Sequence, residues 1–246
     1  MAVKIITPYV FDEEIKQHQD MFWDLDIYYE KDIAGIGCDL MFQKMWNKFP
    51  NDDIFILHAD MSIHHEEWFN EVLDYVKQFP EAGMFGCLLL YPAKDAKDRY
   101  YVQCGGGKFS DEKPDHFGSG LILENGQAFK SKLEVDTGQY DKVREVAWTT
   151  FGGCYIRRSF IESVGDFDPS YEWTYNRDVD YCLRGREAGK RIYQIPVRLF
   201  HHESRDTKRI KNESKAAMEM RNLQKLQAKW GNSKFYKTLD KEIKNG

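Results

Sequence analysis

Three short polar clusters in this 246-residue chain each follow an apolar run. They are His58-Ala59-Asp60, Arg177-Asp178-Val179-Asp180 and His201-His202-Glu203-Ser204. Carboxylate oxygens and imidazole nitrogens are ligands of divalent cations, so convergence of the clusters would provide a metal site. One carboxylate would remain for proton transfer. Taken alone, a His or Asp after a strand is more often an ordinary surface or hydrogen-bonded residue.

The two acids in the second cluster are expected to have different roles. The run from 177 to 187 has helical spacing, which places Asp178 on one face with Tyr181 and Cys182. Asp180 and Arg184 are four residues apart and can pair on another face. The alternative is that both acids simply enrich the first turn of a helix, where the helix dipole favours negative charge.

Alternating strands and helices must position these clusters. Residues 3–10, 26–32 and 52–60 are short apolar runs that predict strands, and amphipathic segments at 11–25, 35–49 and 65–79 predict helices. This alternation indicates an α/β fold with a parallel sheet wrapped by helices. Ligands bind beyond the carboxyl ends of such strands. The strand ends therefore add candidates to the clusters: Thr7, Pro8, Tyr9, Asp32 and His58 to Asp60.

The remainder of the chain is less regular. AGMFGCLLLYP predicts another buried strand, and the polar, glycine-rich residues 93–145 predict antiparallel strands with a hairpin turn at Asn125-Gly126. A glycine pair and a short helix follow within 146–165, and the last apolar strand ends at the two histidines. We predict one domain over 1–204 and a basic helical extension over 205–246, packed on the domain or trailing it.

The composition indicates a folded protein with one sizeable core, since 42% of the residues are hydrophobic and 15% are aromatic. No apolar run is long enough to span a bilayer, and the start, MAVKIITPYV, lacks the pattern of a signal peptide. We therefore expect a cytoplasmic protein. Its five cysteines lack CxxC spacing, which favours reduced thiols packed as small apolar side chains.

The formal net charge of −5 hides a basic C-terminal segment. From Arg205 onward the chain has 12 Lys and Arg residues against 5 Asp and Glu residues. This segment could be a solvated helix face, or a surface that meets anionic lipid, nucleic acid or a phosphate-bearing ligand. No DNA-binding or RNA-binding signature accompanies it, so we expect no nucleic-acid partner, while peripheral membrane contact stays open.

Several segments carry a resemblance to a known family. DDIFILHADMSIHHEEWFNEVL has a strand that ends in a D-x-D-type motif before a Trp-containing helix, and YVQCGGGKF and HFGSG form a glycine-rich middle. The most diagnostic block is TTFGGCYIRRSFIESVGDFDPSYEWTYNRDVDYCLRGREAGKRIYQIP, and NLQKLQAKWG resembles a C-terminal helix of some members. From Ala34 to Gly231 the chain resembles glycosyltransferase family 2, the inverting sugar-nucleotide transferases. The resemblance implies a GT-A fold, with a Rossmann-like mixed, mainly parallel sheet flanked by helices.

The resemblance also implies roles for the three clusters. Asp60 matches the last acid of D-x-D and would bind Mn²⁺ or Mg²⁺ together with the donor diphosphate. His201 or His202 would be a second ligand, and an imidazole ligand favours Mn²⁺. Asp178 matches the general base, which takes the proton from the acceptor hydroxyl during inverting attack.

Further contacts are expected around the donor and the acceptor. Gly152 and Gly153 would let the backbone approach the donor sugar, and Trp173 and Tyr175 could stack on the acceptor or be core aromatics. Expected contacts to the nucleotide come from Thr7, Pro8, Tyr9, Asp32, Asp39, His58 and Ala59. Two positions depart from the family pattern: His58 replaces the first Asp of D-x-D, and Arg177 replaces an acid before the base. A cation at 177 would lower the pKa of Asp178.

The sequence therefore predicts a metal-dependent glycosyltransferase that moves a sugar from a UDP-sugar donor to a hydroxyl of a glycan or glycoconjugate. One alternative is a metal-dependent nucleotidyltransferase, although the segment after the first strand, TPYVFDEE, is acidic where such an enzyme needs a basic loop. The other is a binding module for glycan or nucleotide that has the fold without the reaction. His58 and Arg177, the two departures from the family pattern, keep that alternative open.

Overall fold

The computed structural model describes residues 2–110, 113–124, 127–172, 175–202, 215–233 and 236. Its strands are β1 (Val3–Tyr9), β2 (Ile27–Lys31), β3 (Asp53–Ile56), β4 (Met61–Ile63), β5 (Ala82–Lys94), β6 (Tyr100–Cys104), β7 (Gly107–Ser110), β8 (Lys113–His116), β9 (Ser119–Glu124), β10 (Gln127–Leu133), β11 (Arg144–Glu145), β12 (Cys154–Ile156) and β13 (Arg191–His201). Its helices are α1 (Asp12–Met21), α2 (Cys38–Trp46), α3 (Trp68–Gln78), α4 (Arg158–Val164), α5 (Arg177–Glu187) and α6 (Lys215–Trp230).

The central sheet has the strand order β11-β13-β5-β12-β3-β1-β2, with β4 paired to β13 and β6 paired to β5. β1, β2 and β3 are mutually parallel, β13 is parallel to β5, and the short β12 runs antiparallel between β3 and β5. β1, β2, β3, β5 and β13 therefore run in one direction and end at the same edge of the sheet. The predicted α/β fold, with a mixed and mainly parallel sheet, is confirmed.

Helices cover both faces of the sheet because each has one apolar stripe to bury. On one face Phe42 of α2, Phe160 of α4 and Tyr181 of α5 belong to a single buried cluster. On the other face Trp68 and Val72 of α3 pack into a second cluster. The sheet between these clusters is apolar on both sides, which explains why residues 54–56 of β3 and most of β5 are continuous apolar runs.

The glycine-rich middle contains the predicted antiparallel strands. β7 pairs with β8 and β9 pairs with β10, each as a two-stranded ribbon beside the main sheet. The predicted turn at Asn125-Gly126 lies outside the described residues.

The described part of the C-terminal segment packs on the sheet domain through α6. Leu226 and Trp230 are buried in the same cluster as α5. The basic residues of α6 pair with acids of the domain: Arg221 and Lys225 with Glu172, and Lys229 with Asp168 and Asp180. The division at 204/205 and a membrane contact by the tail stay predictions.

None of the helices described is both long enough and apolar enough to cross a membrane. The five cysteines all lie within the described ranges and form no disulfide, and four of them are buried. Burial raises the pKa of the Cys87 thiol, as expected for a cysteine that packs as a small apolar side chain.

Candidate functional site

A cavity of about 530 Å³ opens at the edge where the parallel strands end. It brings together residues from the ends of β1, β3 and β13 with the first turn of α5. Its lining includes these sequence-predicted residues: Pro8, Tyr9, Asp32, Asp39, His58, Ala59, Asp60, Gly152, Tyr175, Asp178 and His201. Thr7, Gly153 and His202 do not line it, and Trp173 lies outside the described residues.

Backbone pairing places Asp60 beside His201. The chain turns after β3 and enters the short β4, in which Met61 pairs with His201 at the end of β13. The His202 N–H donates to the Asp60 carbonyl at 3.0 Å, which fixes the two segments at this point. As a result, His201 Nε2 lies 3.2 Å from Asp60 Oδ1, and both side chains are mostly buried.

His58 completes a cluster of three possible ligands. One ligand atom each from His58, Asp60 and His201 lies within 4.8 Å of the other two. The His58 ring stacks on Phe42 at 5.3 Å, and its Nε2 is buried with no hydrogen-bond partner among the described residues. An orphaned imidazole nitrogen beside a carboxylate and a second imidazole fits a divalent cation of the borderline type. We call His58, Asp60 and His201 the cation side of the cavity.

The charges on the cation side also suit a metal. Burial lowers the pKa of His58 to about 4, so the ring is neutral and keeps a lone pair. Burial acts to raise the pKa of Asp60, but its contacts with His201 and His58 outweigh this and hold the pKa well below its usual range. His202 does not belong to this cluster and does not line the cavity, and its Nε2 is 3.0 Å from Ser62 Oγ.

The start of α5 forms another part of the cavity lining, which we call the helix side: Tyr175, Asn176 and Asp178. Tyr175 and Asn176 both have left-handed backbone conformations, with φ of 68° and 61°. Consecutive non-glycine residues in this region are uncommon and cost free energy. Asn222 of α6 holds the neighbouring backbone: its Oδ1 accepts from the Glu172 N–H at 2.9 Å, and its Nδ2 donates to the carbonyls of Glu172 and Tyr175 at 2.7 and 3.1 Å.

The carboxyl group of Asp178 has a strongly perturbed pKa. Burial raises it to about 7, and the nearby Asp39 carboxylate adds to the rise. Arg177 lowers it, as the sequence predicted, but the net shift has the opposite direction because burial outweighs that effect. Arg177 is itself buried and lies 3.7 Å from Asp39 Oδ2, so its charge is shared with a second acid. Burial also raises the pKa of Asp39 to about 6.

Asp180 has the separate, structural environment that its spacing predicted. It pairs with Arg184 Nε at 3.1 Å and is fully buried. Its other oxygen accepts from Trp230 Nε1 at 2.8 Å and lies 2.8 Å from Lys229 Nζ. Asp180 therefore joins α5 to α6 and does not reach the cavity.

Some of the residues predicted to contact a donor line the cavity, and others support the backbone beside it. Asp32 lines the cavity, and its carboxylate also accepts from the Ile36 and Gly37 N–H groups at 3.0 and 2.9 Å. Gly152 lines the cavity as well. Gly153 has a φ of +61°, and a Cβ there would lie 2.7 Å from Leu199 Cδ1, so it is required for the turn and the packing beneath.

Several lining residues were not singled out from the sequence. They are Gln103, Cys104, His116, Trp148 and Glu219, and His116 Nδ1 lies 3.1 Å from Cys104 Sγ. The one local signal was Gln103, a polar residue inside an apolar strand just before a run of glycines. The others come from elements whose approach to the cavity depends on the tertiary fold.

No family model matches the sequence, and no curated protein matches it significantly. Solved structures do match. GalNAc-T7 with UDP, GalNAc and Mn²⁺ superposes with a TM-score of 0.60 at 10% identity, over 96% of this chain and 49% of that one. The mannosyltransferase PcManGT from Pyrobaculum calidifontis, with GDP-Man and Mn²⁺, gives 0.51 at 11% identity, over 83% and 57%. S. aureus TarS 1–349 gives 0.50 at 8% identity, over 82% and 60%.

These likenesses concern the fold, because all the identities are at or below 11%. This chain spans between about half and three fifths of the length of these three structures. Within that span its mixed sheet and flanking helices match the GT-A fold of these structures.

Proposed function

We propose that this chain is a metal-dependent, inverting glycosyltransferase. It would move a sugar from a nucleoside diphosphate donor, with UDP favoured, to a hydroxyl of a glycan or glycoconjugate. One observation carries the proposal: the His-Asp-His cluster and the perturbed carboxyl of Asp178 line the same cavity. Two of the solved structures with this fold hold Mn²⁺ together with UDP or GDP-Man, which supports the donor class.

The cation side would hold the metal through His58, Asp60 and His201. A divalent ion bound there supplies charge that neutralises the diphosphate leaving group. Two imidazoles among three protein ligands favour Mn²⁺ over Mg²⁺, which prefers oxygen ligands. His202, which contacts Ser62, is not a ligand in this proposal.

The helix side would perform the proton transfer. In its ionised form Asp178 accepts the proton of the acceptor hydroxyl while that oxygen attacks the anomeric carbon from the face opposite the leaving nucleotide. A pKa of about 7 makes Asp178 a stronger base than an ordinary aspartate and still leaves it largely ionised slightly above neutral pH. Attack from the opposite face inverts the configuration and requires no covalent intermediate on the protein.

Donor and acceptor would meet between these two sides. Pro8, Tyr9 and Asp32 lie at the ends of β1 and β2, where the nucleotide would bind, with Asp39 and Ala59 nearby in the same lining. Gly152 gives the donor sugar access to the backbone. Tyr175 precedes the proposed base in the chain and lines the cavity, and in this proposal it would stack on the acceptor.

The two acids of α5 give a matched test of the mechanism. We expect Asp178→Asn to lower donor-dependent UDP release by about 10²- to 10⁴-fold in the presence of Mn²⁺, the usual range for loss of a general base. Its thermal stabilisation by UDP and Mn²⁺ together should persist, because the donor contacts remain. Asp180→Asn should instead lower the melting temperature, since Asp180 binds Arg184 and Trp230.

UDP-sugars and GDP-mannose should both be tried as donors. Equal residual turnover in the native chain and in Asp178→Asn would remove Asp178 as the base. Joint binding of nucleotide and Mn²⁺ without turnover on any acceptor would instead indicate a binding module. Absence of a joint stabilisation with either nucleotide would contradict the proposed metal-bridged donor.

A further inference from the structure

Gln103 occupies an irregular position in β6, close to the cation side. Leu89 of β5 pairs with Cys104 and Leu90 pairs with Val102, so Gln103 is an extra residue without a partner across the ladder. Such a β-bulge turns a side chain away from the regular alternation of the strand, and bulges are common beside active sites. The Gln103 side chain lines the cavity, and only 8% of the residue is exposed.

The side chain of Gln103 reaches His201 although β5 separates their two strands in the sheet. Gln103 Oε1 lies 2.7 Å from His201 Nδ1. An amide oxygen can only accept a hydrogen bond, so the ring must donate from Nδ1. The proton of a neutral His201 ring is therefore on Nδ1, and its lone pair is on Nε2.

That lone pair faces Asp60. His201 Nε2 and Asp60 Oδ1 are 3.2 Å apart, and both are acceptors when the ring is neutral and the carboxyl is ionised. A positive charge between the two atoms, whether a proton or a metal ion, makes this contact favourable. If the only ring proton were on Nε2, His201 Nδ1 and Gln103 Oε1 would both be acceptors, and they would face each other at 2.7 Å. Gln103 thus disfavours the tautomer that cannot bind a metal through Nε2.

We propose that Gln103 is a positioning residue for the cation site: it fixes the tautomer and the ring orientation of His201 so that Nε2 is available to a divalent ion. The proposal rests on the metal site of the proposed function and adds a residue outside the three ligands. Outer hydrogen-bond partners of this kind orient metal-binding histidines and increase their basicity.

Calorimetric titration of Mn²⁺ into the metal-free chain tests this role without measuring turnover. Gln103→Met keeps the length of the side chain and removes the acceptor, and we expect Mn²⁺ binding to weaken by about 10- to 100-fold. Gln103→Glu keeps an acceptor and should bind Mn²⁺ at least as well as the native chain. Gln194→Met is the matched control, since Gln194 is a buried glutamine whose side-chain amide contacts the Ile195 carbonyl.

The outcomes separate this inference from the proposed function. If the native chain does not bind Mn²⁺, the metal site itself is wrong. If the native chain and Gln103→Met bind it equally, the metal site stands and the role of Gln103 is overturned. Thermal unfolding of each metal-free variant checks that the fold is retained.

The ring of His201 gives a second readout that needs no variant to fold. Nitrogen-15 NMR of the metal-free native chain should show a protonated Nδ1, and addition of a diamagnetic divalent ion such as Zn²⁺ should change the Nε2 signal with Nδ1 still protonated. A neutral ring protonated at Nε2 would mean that the Gln103 amide donates to the ring, and it would overturn the proposal.

Discussion

The two sides of the cavity are built in different ways. On the cation side, backbone pairing between β4 and β13 brings Asp60 to His201, and regular strand geometry does the positioning. On the helix side, Asp178 follows two left-handed residues, and the backbone before them is held by a side chain from α6. A site that needs both sides thus combines a half positioned by backbone pairing within the sheet with a half positioned by a side chain from α6.

This difference has an energetic basis. Backbone pairs in a sheet satisfy donors and acceptors without strain, whereas left-handed backbone costs about 1–2 kcal/mol for each non-glycine residue. The helix side can keep its geometry only if other contacts offset that cost. Asn222 and Trp230 of α6 provide such contacts. We therefore expect changes in α6 to affect the helix side and to leave the cation side intact.

Trp230→Ala should have the largest effect on stability. Trp230 is 4% exposed and donates to buried Asp180, so its removal leaves a cavity and takes one donor from that carboxylate. We expect the free energy of unfolding to fall by about 3–5 kcal/mol in chemical denaturation. Mn²⁺ affinity, measured by calorimetry below the melting temperature, should stay within error of the native value.

Trp23→Ala is the matched control, because Trp23 is 81% exposed and its loss should change the free energy of unfolding by less than about 0.5 kcal/mol. A large loss of Mn²⁺ affinity in folded Trp230→Ala would show that the two sides are not independent, and the comparison would fail.

Asn222→Ala should have an intermediate effect, confined to the helix side. Asn222 is fully buried and makes three hydrogen bonds with the backbone at Glu172 and Tyr175. Leaving these groups unpaired should lower the free energy of unfolding by about 1–3 kcal/mol. Because the backbone before Asp178 is then less well held, we expect kcat for UDP release to fall about tenfold.

The KM for the donor and the affinity for Mn²⁺ should change little in Asn222→Ala. Asn70→Ala replaces an exposed helical asparagine and should change none of these quantities. A rise in donor KM with unchanged kcat would mean that Asn222 supports donor binding and not the position of the proposed base.

Asp39→Asn should have the smallest effect, a shift in the pH profile of turnover. Asp178 must be ionised to accept a proton, so kcat should rise with pH through its pKa of about 7. The Asp39 carboxylate contributes to raising that pKa, so its neutralisation should move the midpoint to lower pH. Asp74→Asn, a change at an exposed acid on α3, should leave the midpoint in place. A midpoint that moves upward would mean that Asp39 acts by another route.

The same contrast explains how much of the molecule could be predicted from its sequence. Apolar runs that end in polar residues identified β1, β3 and β13, and with them Asp60 and the histidine pair. The choice between His201 and His202 could not be made, because it depends on which residue of β13 faces β4 and the cavity. The spacing of Asp180 and Arg184 predicted their ion pair, since that contact lies within one helix.

The sequence could not predict the effects of contacts between segments that are distant in the chain. The charge of Arg177 predicted a lowered pKa for Asp178, but burial by distant elements reversed the direction. Asn222 lies 44 residues beyond Asp178 in the chain, and no local pattern links it to Glu172 or Tyr175. The bulge at Gln103 likewise follows from the register between two strands and cannot be read from β6 alone.

The reversed direction of β12 has a consequence for how this pocket can change. Strands that run in the majority direction place the residues at their ends beside the cavity. β12 runs in the opposite direction and places the residues before it there, so Gly152 lines the cavity from a loop that leads into the sheet. Loops leaving the sheet and a loop entering it thus share one opening. Insertions in the arriving loop could reshape the proposed sugar subsite without moving the cation side or the helix side.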